Sequence, residues 1–201
     1  MKRKIYDKIL EWKNTSNGDT ALLIDGARRV GKSYILYQLV NIIQNEEPDA
    51  NIIYINKEDL DFEFITNYRE LYEYVKQRLT SDRRNYIFVD EIQEIADFRL
   101  AIRSLALDDN NDIYITGSNS EMFSSDLANE LGGRYVEFKI YSLSYLEFLQ
   151  FHKLPNDDES LEKYIHFGGL PYLINLPLEE HVAMEYIHSI YSTIVLRDVI
   201  K

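Results

Sequence analysis

Short apolar runs alternate with stretches of helical periodicity from residue 21 to residue 140. Ala21-Leu22-Leu23-Ile24, Ile52-Ile53-Tyr54-Ile55, Tyr86-Ile87-Phe88-Val89 and Ile113-Tyr114-Ile115 are compact apolar runs of the kind buried strands show. Between the first two, Ile35, Leu36, Leu39, Val40 and Ile43 recur at helical spacing, and Glu46-Glu47-Pro48-Asp49 breaks the pattern. A second helix is expected within the segment from Leu60 to about Leu79, its start left open, carrying Phe62, Ile65, Leu71, Tyr74, Val75 and Leu79 and closed by the solvated turn Ser81-Asp82-Arg83-Arg84. Phe98, Ile102, Leu105 and Ala106 mark a third. Strand and helix keep alternating, so the sheet should be parallel. Tyr135 to Ile140 alternates with period two, which predicts a half-exposed strand at a sheet edge.

Beyond residue 140 the pattern turns helical. Ser144-Tyr145-Leu146-Glu147 reads as a capping box opening a helix that packs through Leu146, Phe148 and Leu149. A short helix through Leu161, Tyr164 and Ile165 runs into Gly168-Gly169-Leu170-Pro171, and a long one from about Leu178 carries Val182, Tyr186, Ile190 and Ile194. The expected organisation is an α/β core over 1–141, including an N-terminal amphipathic helix (Ile5, Tyr6, Ile9, Leu10, Trp12), and a helical lid over 142–201. The last residues keep a helical pattern, which suggests a chain cut before a further domain.

The 201 residues suffice for one α/β domain with a small appendage. Lys and Arg number 22 against 34 Asp and Glu, a formal charge of −12, which argues against broad, sequence-independent capture of DNA or RNA by this region. With no cysteine there is no disulfide or thiolate chemistry, which fits a reducing compartment. No stretch is long and apolar enough to span a bilayer, and the opening Met1-Lys2-Arg3-Lys4 leads into an amphipathic segment, so a soluble cytoplasmic protein without membrane contact is expected.

Gly26-Ala27-Arg28-Arg29-Val30-Gly31-Lys32-Ser33 satisfies GxxxxGK[ST] between the first apolar strand and the first helix. Glycines let a backbone curl around phosphates, and successive N–H groups and a helix N-terminus face the anion. Lys32 would reach the terminal phosphates and Ser33 would place its hydroxyl on Mg²⁺, with Tyr34 closing the nucleotide-binding stretch. Arg28 and Arg29 sit at pattern-free positions and read as solvated or lid-contacting.

Asp90 and Glu91 follow the strand Tyr86-Ile87-Phe88-Val89, a Walker B pattern. Asp90 would hold Mg²⁺ through a water, and Glu91 would orient or deprotonate the attacking water. The extra glutamate belongs to the P-loop division in which a further strand, here the fourth, lies between the P-loop strand and the Walker B strand. That strand ends Thr116-Gly117-Ser118-Asn119, where Ser118 is the candidate sensor of the γ-phosphate or water; a turn that caps the next helix is the other reading. Arg134, in Leu131-Gly132-Gly133-Arg134, either projects as an arginine finger into a neighbouring subunit's site or pairs with a local carboxylate. His152, His166, His181 and His188 lack zinc-ligand spacing and read as surface residues, and the 16 tyrosines fall mostly at core-facing positions.

GARRVGKS, YIFVDEIQEI, YITGSN, ELGGRY and FGGLPYL together resemble the AAA-module ATPases of bacteria and archaea that carry a C-terminal domain of uncharacterised function, a group similar to the AAA+ and STAND classes. The resemblance implies a five-stranded parallel sheet ordered 5-1-4-3-2 with a helical lid, Lys32 and Ser33 as phosphate and Mg²⁺ contacts, Asp90 and Glu91 as Walker B, Ser118 as sensor and Arg134 as the finger position. It also places Pro171, with Gly169 and Leu170, in a lid turn that touches adenine or ribose, and Arg3 at a basic position with no assigned role. Family members continue into a second, sometimes nuclease-like domain, and no acid and lysine constellation of that kind follows the lid here. ATP and Mg²⁺ are the implied ligands; no guanine-reading Asn/Thr-Lys-x-Asp run is present. The implied partners are ATP and ADP, a homo-oligomer, and an unidentified protein or the missing C-terminal domain. Two functions stay open: a Mg²⁺-dependent ATPase driving rearrangement of a lid or partner, and a STAND-like nucleotide-controlled switch with slow hydrolysis.

Overall fold

The computed structural model describes residues 3–15, 20–118 and 135–194. Arg134 and Asn119 lie outside them. The chain divides into two compact units: described residues 5–15, 20–27, 32–118 and 135–140 form one, and 3–4, 28–31 and 141–194 the other.

The first unit is a five-stranded, all-parallel sheet. Its strands are β1 (Ala21–Gly26), β2 (Asn51–Asn56), β3 (Asn85–Asp90), β4 (Asn111–Gly117) and β5 (Tyr135–Ile140), in the order β2-β3-β4-β1-β5. This is the order the resemblance implies, with β4 between β1 and β3. Side chains alternate across the strands. Leu23, Ile53, Ile55, Ile87, Val89, Ile113 and Ile115 share one apolar cluster with α3 (Tyr68–Lys76) and α4 (Phe98–Leu105). Phe88, Tyr114 and Tyr54 form a stacked row, extended by Tyr37 of α2 (Lys32–Glu46). Fully burying a Leu or Ile contributes roughly 1.5–3 kcal/mol each, so strands buried on both faces have little freedom to slip register. α1 (Lys4–Thr15) buries Tyr6 and Ile9.

The second unit holds α5 (Tyr145–His152), α6 (Asp158–Phe167), a 3₁₀ turn (Pro171–Asn175) and α7 (Glu180–Ile194). Ser144 and Glu147 make the expected capping box. Leu143, Phe148 and Phe151 form one small core, and Phe167, Leu173 and Ala183 another. Gly169 is required where it stands, because a Cβ there would lie 2.3 Å from the Leu143 carbonyl oxygen.

Several expectations need correction. The 60–79 segment is not one helix: a 3₁₀ turn covers Leu60–Phe62 and the α-helix starts at Tyr68. Asn67 stops it from starting earlier by taking the N–H groups of Arg69 (3.0 Å) and Glu70 (3.3 Å) as an N-cap. Arg84 is no solvated turn residue; its guanidinium grips buried Asp112 through two bonds of 2.6 and 2.8 Å. Phe148 and Leu149 are buried as expected, but Leu146 is exposed, and in the next helix Leu161 and Ile165 are exposed while Ser160 and Phe167 are buried. His152 is half-buried against Phe148, and that burial pushes its imidazole below the ordinary value. No helix of the described residues is long and apolar enough to cross a membrane.

Candidate functional site

The carboxyl ends of β1, β3 and β4 meet at one end of the sheet, where an open parallel sheet offers a crevice. β1 delivers Gly26 and Ala27, whose carbonyls accept hydrogen bonds from Lys32 Nζ at 2.9 and 3.0 Å. Lys32 opens α2 and is almost wholly buried, with its ammonium 3.9 Å from a Glu91 carboxylate oxygen. Ser33 follows it, half-buried, and Tyr34 points outward at 54% exposure.

The intervening turn, Arg28–Gly31, groups with the C-terminal unit. Arg29 (φ 67°) and Gly31 (φ 96°) both take left-handed backbone conformations. A side chain at 31 would be strained by that angle and would stand 3.9 Å from the ring of Pro171, in the same unit.

β3 delivers Asp90 and then Glu91, whose left-handed φ of 55° turns it sharply off the strand. Such a conformation costs a non-glycine residue about 1–3 kcal/mol and persists only where surroundings impose it. Thr116 is part of that imposition. Fully buried near the end of β4, its hydroxyl donates to an Asp90 carboxylate oxygen and accepts the Glu91 N–H at 3.0 Å. The Glu91 carboxylate takes further bonds from the Ser118 hydroxyl (3.0 Å) and the Gln93 amide nitrogen. Gln93 Oε1 accepts the Ser118 N–H at 3.4 Å, which links the ends of the two strands. The Tyr54 hydroxyl lies 3.4 Å from the other Asp90 oxygen; burial first, and the Asp90 charge second, push that phenol well above its ordinary value, so it stays a donor.

The sheet unit thus brings Lys32, Asp90, Glu91 and Ser118 together. Pro171 is placed beside Gly31 in the other unit, and Arg134 is outside the described residues. The donor set of one buried ammonium, two carboxylates and several hydroxyls suits a polyanion with an oxygen-preferring divalent cation, so Asp90 and Ser33 fit Mg²⁺ by chemistry. Sequence reasoning missed Thr116, Gln93 and Tyr54. Register carries the signal for the first: Val89 pairs with Ile115, so the next residues, Asp90 and Thr116, fall side by side.

A model of the AAA domain family matches residues 18–149. The chain belongs to the AAA domain family. It is 32% identical over 200 residues to an uncharacterised protein of Haemophilus influenzae, covering 96% of this chain and 48% of that protein. It is also 32% identical over 213 residues to the uncharacterised protein MJ1544 of Methanocaldococcus jannaschii, covering 100% and 46%. The chain therefore spans about half the length of the curated relatives it matches. Among solved structures, AMPPCP-bound DnaA from Aquifex aeolicus superposes with a TM-score of 0.52 at 14% identity, over 87% of this chain and 61% of that one. That likeness is one of fold, the P-loop α/β architecture.

Proposed function

We propose that this AAA domain binds ATP with Mg²⁺ at the 26–34 loop and hydrolyses it to ADP and phosphate. The observation that carries the reading is the convergence of Lys32, Asp90, Glu91 and Ser118 at the carboxyl end of the sheet, with Glu91 held by Thr116, Gln93 and Ser118 in a strained conformation. The N–H groups at Gly31, Lys32 and Ser33 and the N-terminus of α2 receive the phosphates, and the Lys32 ammonium offsets their charge. Ser33 and Asp90 would hold Mg²⁺, which when bound would supply positive charge against the phosphates. Glu91 accepts a proton from the water that attacks the γ-phosphorus as the bond to the bridging oxygen of ADP breaks. Ser118 and Gln93 keep the Glu91 carboxylate aimed. Pro171 lines the nucleotide from the helical lid, and Arg134 serves as a finger for a neighbouring copy in a homo-oligomer. A cytoplasmic setting fits the absence of cysteine.

One observation favours a second reading, a nucleotide-controlled switch with slow turnover: Arg28–Gly31 groups with the C-terminal helices, so a phosphate bound there acts on the lid directly. Both readings need Glu91. In Glu91→Gln, steady-state phosphate release should fall by about 10²- to 10⁴-fold while Mg·ATP affinity is kept. Normal turnover in that variant would remove the proposed role of Glu91.

A further inference from the structure

Arg3 is a buried charge for which the reaction has no use. Its side chain is 7% exposed, and each of its three nitrogens is engaged within the C-terminal unit. One Nη donates to the Val30 carbonyl at 2.8 Å, and the other donates to the carbonyls of Tyr141 (2.8 Å) and Ser142 (3.2 Å). Nε faces Glu147 Oε1 at 3.4 Å. Glu147 is itself fixed, since Oε1 also accepts the Lys4 N–H at 3.1 Å and Oε2 accepts the Ser144 N–H and hydroxyl, both at 2.9 Å. A guanidinium removed from water is retained only when its donors are satisfied. Here three of its four partners are main-chain carbonyls, and one belongs to the 26–33 loop.

A trans peptide points its C=O and N–H in opposite directions. Holding the Val30 carbonyl toward Arg3 therefore turns the Gly31 N–H away from it. The left-handed φ of Gly31 then carries the chain from that fixed peptide into Lys32. We propose that Arg3 is a positioning residue for phosphate binding: it clamps the Val30–Gly31 peptide so that the Gly31 N–H faces the anion before the anion arrives. This deepens, and rests on, the reading of the loop as a triphosphate site. Clamping before binding reduces the ordering cost that the nucleotide must otherwise meet.

The test uses the full chain and titrates Mg·ATP and Mg·ADP by calorimetry. Arg3→Met keeps the apolar stem and removes the donors. It should weaken both nucleotides by about tenfold and raise KM with kcat nearly unchanged, because a main-chain contact made equally in ground and transition states acts on binding. Arg3→Lys should recover part of the loss. Glu147→Gln leaves the Val30 bond in place and should stay within about twofold of wild type. A folded Arg3→Met with wild-type affinity would overturn the proposal, as would an equal loss in Glu147→Gln, which would make the cluster a structural rivet only. If Arg3→Met does not fold, the amide resonances of the wild-type chain decide. A Gly31 N–H that shifts with Lys32 on adding Mg·ADP supports the clamp, and one that stays still while Lys32 moves overturns it. A wild-type chain that binds neither nucleotide would instead defeat the triphosphate reading itself.

Discussion

Thr116 has a hydroxyl that must donate and accept at once, donating to Asp90 and accepting the Glu91 N–H. Valine has the same shape and can do neither. Thr116→Val should therefore strand a buried N–H and cost about 1–3 kcal/mol, read as a lower urea midpoint with unchanged slope. Turnover should fall with it, and Thr116→Ser should restore much of both; a valine variant as stable and active as wild type would contradict this role. Lys32, Asp90 and Glu91 were legible because their spacing within a strand–loop–helix pattern is itself the signal. Thr116, Gln93 and Tyr54 were not, since their contacts depend on strand register and on the turn Glu91 makes off β3. Arg3 was less legible still. What it holds lies 27 to 144 residues away along the chain.

Capping shows what local sequence can and cannot specify at the scale of elements. The Ser144 capping box is readable in the sequence, whereas the Asn67 cap is hidden inside a continuous apolar periodicity, so the sequence leaves the start of α3 open. Arg84 looked like a turn residue because its partner Asp112 belongs to the neighbouring strand β4. The α5 cap also has a pH signature. Burial pushes the Glu147 carboxyl up, but the N–H groups of Ser144 and Lys4, the Ser144 hydroxyl and the Arg3 charge outweigh it, so the group titrates below its usual 4.5. With the folded value depressed, the unfolded chain binds the proton more readily, and stability rises with pH across this interval. The contribution is complete above the ordinary carboxylate value and is lost as pH falls through the folded one. Urea midpoints of wild type and Glu147→Gln should differ by a constant amount above about pH 5 and converge below it. A gap that does not change with pH would contradict the ionised cap.

Over the whole molecule, the parallel sheet was legible because apolar runs alternate with amphipathic helices, while its strand order was legible only through the family resemblance. What the pattern did not reveal is that Arg28–Gly31 groups with the C-terminal helices. Sequence adjacency joins those four residues to β1 and α2, while their packing joins them to Arg3 and Pro171. Nucleotide binding at this loop is the claim on which every other role depends, and Lys32→Ala tests it most directly. Equilibrium titration with Mg·ATP should give saturable, one-to-one binding to wild type and a loss of at least about a hundredfold in Lys32→Ala. Near-normal affinity in that variant, with its fold intact, would contradict the account.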